Sequence, residues 1–143
     1  MTLPTRDPRR VAVAAGVLAM LACYVAAKVL RAGGVPGASD GMPFAVVAVA
    51  FAVAGFVAGR ASPRADTGVM AVARPAAHVL LGVPLGVIIW ALGIELLLRI
   101  AAPTLYQDHN LFPFEIVMYW VFAAVPAAIG VGAGRVAVVR RES

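Results

Sequence analysis

Four long apolar runs, the third broken by Glu95 and Arg99, constrain this chain more than any other feature. They cover residues 11–30, 43–59, 76–102 and 111–139. A helix that crosses a bilayer needs about 20 predominantly apolar residues, and the second run is at the short limit of that range. Strands of a membrane barrel would instead alternate apolar and polar residues over about 10 positions. The expectation is an all-α membrane protein: one domain, 1–143, of four transmembrane helices in a bundle. Composition agrees. Of 143 residues, 62% are hydrophobic and 13% are charged, against about 25% charged in a soluble domain. Too little polar surface is left to solvate a water-soluble fold, which excludes a soluble enzyme and a disordered tail.

The net charge of +5 does not point to nucleic acid, because the basic residues flank the apolar runs. Arg6, Arg9 and Arg10 precede span one. Arg60, Arg64 and Arg74 lie between spans two and three, and Arg135, Arg140 and Arg141 close span four. Nine of the twelve basic residues therefore share one side with both termini. The positive-inside rule makes that side the cytoplasm, here of a prokaryotic cytoplasmic membrane. Span one could imitate a signal peptide, with Met20-Leu21-Ala22-Cys23 as a loose cleavage site, but its apolar run continues past that point. It is read as an uncleaved helix. The lone Cys23 excludes an intrachain disulfide and is read as a small core residue.

An internal echo links spans two and four. FAVAGFVAGR at 51–60 and PAAIGVGAGR at 126–135 match at five of ten positions, and Pro43-Phe44 and Pro113-Phe114 open the two spans. If the echo is a repeat, the chain is two helical hairpins of like orientation, an arrangement known in transporters and also produced by plain duplication. Glycines recur four apart in three spans: Gly55 and Gly59, Gly82 and Gly86, Gly130 and Gly134. That spacing puts both on one helix face and lets backbones approach closely. One or two of these pairs are expected to be contacts in the bundle or in an oligomer. Pro84 and Pro126, inside spans three and four, each remove a backbone donor and are read as passive bends before hinges.

Few residues can carry chemistry. Glu95 and Arg99 are four apart on one helix face and can pair. Glu95 is nine residues beyond Gly86, about 900° or half a turn round, so this face is expected opposite the Gly82–Gly86 face. One reading makes the pair an ion or proton site. The favoured reading is an interfacial pair with Arg99 reaching to the headgroups. The second outer loop carries Tyr106, Asp108, His109, Phe112 and Glu115. Its acid and imidazole groups fit no dense metal motif, so it is read as a partner-contact loop. Tyr106, Phe112, Phe114, Tyr119 and Trp120 would supply the outer aromatic belt. His78, on the Gly82 face, offers an axial ligand for a haem or pigment, but His109 lies at the opposite side, so no bis-histidine pair forms. Ser39, Ser62 and Ser143 all fall outside the spans, and no phosphate-binding glycine loop or zinc-protease motif occurs. The chain resembles the small multidrug transporters in size alone, since their first helix carries a central glutamate and span one carries none.

The reading is a non-catalytic integral subunit with no cofactor, metal or nucleic acid. It would pack in the lipid bilayer with other membrane proteins or as a homo-oligomer. The rivals are a small oligomeric transporter or channel using Glu95 and Arg99, and a pigment- or haem-binding accessory using His78.

Overall fold

A computed structural model describes residues 7–34, 44–106 and 112–140. It is all-helical: α1 (Pro8–Ala32), α2 (Phe44–Ala61), α3 (Met70–Ile88), a wide π-helical turn (Ile89–Ile94), α4 (Glu95–Ala101), a single 3-10 turn (Pro103–Leu105) and α5 (Phe112–Val139). Helix α3, the wide turn and α4 run on as one rod over Met70–Ala101, so among the described residues four helices are long and apolar enough to cross a membrane.

Helix ends follow local chemistry. The Asp7 carboxylate accepts the Arg9 N–H at 3.0 Å, with Pro8 at the first helical position of α1. Gly34, at φ 68°, takes a left-handed conformation just after α1. Gly68, at φ 64°, turns the chain into α3. Helix α3 starts six residues before the apolar run does. Its first turns carry Arg74, which pairs with Asp66 at 3.4 Å outside the apolar band.

Inside and outside are reversed relative to a soluble protein. Leu18, Val53, Leu92, Val121 and Ile129 are each 59–67% exposed, while the carboxylic acid Glu95 is 1% exposed. Apolar surface on every helix and a buried charge suit a lipid surround.

The core is built on two seams of parallel helices. In the first, Gly16 of α1 meets the Val79 carbonyl of α3, and Gly82 of α3 meets the Gly16 and Val17 backbone. A Cβ built on Gly86 would stand 2.6 Å from the Met20 Cβ. In the second seam, Gly55 lies on Ala127 and Gly130 on Ala52, while Gly59 lies on Val131 and Gly134 on Phe56. The two echoing segments make Ala52 equivalent to Ala127, Gly55 to Gly130, Phe56 to Val131 and Gly59 to Gly134. The α2–α5 contact is therefore reciprocal, residue on partner and partner on residue, as in an isologous interface. All three glycine pairs are used inside the chain. Gly16 belongs with them although it has no glycine four residues away.

Pro84 has no N–H, so the Leu80 carbonyl one turn earlier loses its helical donor. The Trp120 indole N–H of α5 supplies one at 2.6 Å. Trp120 thus ties α5 to α3 and does not serve only as a belt residue. Trp120→Phe should cost about 1 kcal/mol of stability. Pro84→Ala gives Leu80 a helical donor again, so the loss should shrink in that background. Thermal unfolding of the four variants of this cycle in detergent checks it. Equal losses in both backgrounds would refute the account.

Candidate functional site

The wide turn at 89–94 determines where the carboxylate goes. Trp90 and Glu95 are five residues apart, which is about 140° round a regular helix. A π-helical turn closes on i→i+5 and brings such a pair onto one face. Here the Trp90 Nε1–H donates to Glu95 Oε1 at 2.9 Å, and both residues are buried. The expectation that Glu95 lies opposite the Gly82–Gly86 face therefore fails. The count assumed a uniform helix, and the extra residue in the turn rotates Glu95 back toward α1, the helix that the glycines face.

Lys28 of α1 meets Glu95 there. Its ammonium lies 2.6 Å from Glu95 Oε1, with the lysine side chain 18% exposed and the glutamate side chain 1% exposed. Lys28 Nζ also donates to the Leu105 carbonyl in the 3-10 turn, so one ammonium holds α1, α4 and the turn beyond α4 together. The pairing is thus 67 residues apart in sequence. The i,i+4 pairing with Arg99 is not the one formed. Arg99 is exposed and places its guanidinium 5.6 Å from the Tyr106 ring centroid.

Aromatic rings enclose the charges. Tyr24 stacks on Trp90 with centroids 5.1 Å apart and planes at 9°. Tyr119 meets Tyr24 edge-on at 6.0 Å. The Tyr24 hydroxyl donates to Glu115 Oε2 at 3.1 Å, so Glu115, expected in a partner-contact loop, begins α5 and turns into the bundle. Two carboxylates, an ammonium, an indole and two phenols from α1, the wide turn, α4 and α5 therefore converge near one end of the bundle. Sequence reasoning found Glu95 and Glu115, placed Tyr119 in the belt, and missed Lys28, Tyr24 and Trp90 as members. Asp108 and His109 lie outside the described residues, and Phe112 opens α5.

His78 lies at the opposite end. It lines a cavity of about 100 Å³ with Arg9, Asp66 and Arg74. Pockets for drug-sized ligands run to about 300–1,000 Å³, so this one is small beside them. The space over Gly82 is filled by α1, which leaves no room there for a ring. Among the described residues, no three His, Cys, Asp or Glu side chains are grouped to hold a metal ion.

Compared with family models, with curated proteins and with solved structures, the chain matches none. It is a small, all-helical, membrane-spanning protein, and its own residues carry the functional argument.

Proposed function

We propose that this chain is a non-catalytic integral membrane subunit that packs with partner membrane proteins or with a second copy. The arginine-rich end, with both termini, faces the cytoplasm by the positive-inside rule. The reciprocal α2–α5 seam supports an origin as two repeated hairpins. The observation that carries the functional reading is the pairing of charge within the chain. Glu95 is matched by Lys28 and Trp90, and Glu115 receives the Tyr24 hydroxyl. A buried network satisfied in this way rigidifies a bundle and fixes how its helices meet. The glycine seams are consumed internally, so a partner would meet the Leu, Val and Ile surface or the outer connections.

Purification from native membranes in a mild detergent, with mass and co-purifying proteins measured together, tests this. Stoichiometric partners or a discrete homo-oligomer are expected. A monomer without partners, recovered also from native lipid discs, would refute it.

The wide turn favours one rival, because π-helical turns occur frequently at functional sites. In that reading Glu95 is a proton- or cation-coupled group in a small transporter, with Arg99 at the mouth of its path. Lys28 would release the carboxylate during the cycle.

A further inference from the structure

The end of the molecule opposite the Lys28–Glu95 network carries a second feature. A pocket of about 270 Å³ lies between the ends of α2 and α5. Arg60, Arg64, Arg135 and Ser62 line it, together with Val138 and Val139. The AGR echo explains why these arginines meet. Gly59 and Gly134 bring α2 and α5 into backbone contact, in parallel and in register. The residue after each glycine, Arg60 and Arg135, therefore leaves the seam at the same level.

Each side chain is positioned. Arg135 donates to the Pro63 carbonyl at 3.3 Å and to the Asp66 carbonyl at 2.7 Å. That occupies two of the five donors of a guanidinium. The Arg60 guanidinium rests 6.0 Å from the Phe56 ring centroid. The Asp66 carboxylate is engaged with Arg74 and does not line this pocket. The other wall is apolar and runs out to the lipid-facing surface, where Val136 is 51% and Val139 69% exposed.

We propose that this pocket binds the phosphate of an anionic membrane lipid, with the arginines on the headgroup and the valine wall along the start of an acyl chain. Guanidinium groups match phosphate oxygens in geometry and charge. Basic pockets between spanning helices are suited to anionic headgroups. The volume fits a headgroup and not a whole lipid. The apolar wall favours a lipid over a soluble phosphate, which would use only the arginine side.

The test is native mass spectrometry of the full chain in mild detergent with phosphatidylglycerol, phosphatidylcholine or inorganic phosphate added. One phosphatidylglycerol per chain should be retained at least tenfold more tightly than phosphatidylcholine. Arg60→Gln with Arg64→Gln should remove that preference. These two arginines are exposed, so the fold is expected to survive, and circular dichroism checks it. Arg9→Gln with Arg10→Gln, changed at the same end outside the pocket, should leave the preference intact. Equal retention of the two lipids would overturn the proposal, and so would an equal loss in the Arg9/Arg10 variant, which would mean diffuse charge. Inorganic phosphate that displaced the lipid and bound as tightly would overturn the lipid assignment in favour of a soluble phosphate.

Discussion

Lys28→Met is expected to destabilise the folded protein by about 3–5 kcal/mol, the usual cost of removing one partner from a buried ion pair. Glu95 is 1% exposed, and its Oε1 would lose the ammonium while keeping the Trp90 N–H. The Leu105 carbonyl would lose its donor as well. The double variant Lys28→Met with Glu95→Gln should recover most of the loss. Glutamine is neutral and its carbonyl can still accept from Trp90. Unfolding in detergent, followed by circular dichroism, gives both numbers. A single variant as stable as the parent would show that the pair does not hold the bundle. The same residues separate the two functional readings. If the network is structural, Glu95→Gln alone strands the Lys28 ammonium and lowers stability. If Glu95 carries protons or cations, Glu95→Gln protein that remains folded also loses the flux that the parent shows in reconstituted vesicles.

The reason this network was hard to read lies in helix phase. Hydropathy locates spans because the cost of exposing backbone and charge to lipid acts on every residue of a run. The four spans were therefore legible, while of the three glycine pairs marked by their spacing only one or two are expected to be contacts and all three are. Gly16 was not legible, because its neighbours at spacing four are Ala12 and Met20, which look like ordinary core residues. Glu95 stood out as a buried charge, but its direction was computed at 100° per residue through a segment that does not turn at that rate. The wide turn at 89–94 leaves no periodic trace. The one available hint was that Trp90 and Glu95, five apart, both have reason to avoid lipid exposure of their polar atoms. Lys28 looked like the end of a span, since nothing local ties it to a residue 67 positions on. Trp120 has the same history. The orphaned carbonyl created by Pro84 could be foreseen, but which helix would supply its donor could not.

The largest effect of a single substitution is expected at the α2–α5 seam. A Cβ added at Gly130 would overlap the Ala52 carbonyl, and it would also lie 2.9 Å from the Phe56 nitrogen. These are backbone atoms and cannot swing aside as a flexible side chain would. The helices must separate, and separation also lifts the equivalent contacts of Gly55, Gly59 and Gly134. Overpacking a core typically costs 1–3 kcal/mol, roughly, and occasionally more. Gly130→Leu should exceed that range, because the added branch is wedged between two main chains along a whole seam. Gly132, two residues on, is the control. A Cβ there meets nothing within 4 Å, so Gly132→Leu adds an apolar side chain to a face with room for it. The expected result is loss of monodisperse folded protein for Gly130→Leu and parent-like behaviour for Gly132→Leu, read by size exclusion and thermal unfolding. The contrast also places the seam within one chain. Were Gly130 at an interface between copies, Gly130→Leu would yield a smaller but fully folded species with an unchanged helical signal. A seam inside the chain predicts that the helical signal and the folded mass disappear together. If both glycines tolerated leucine, the close approach of α2 and α5 would be wrong, and with it the geometry that brings Arg60 and Arg135 to one pocket.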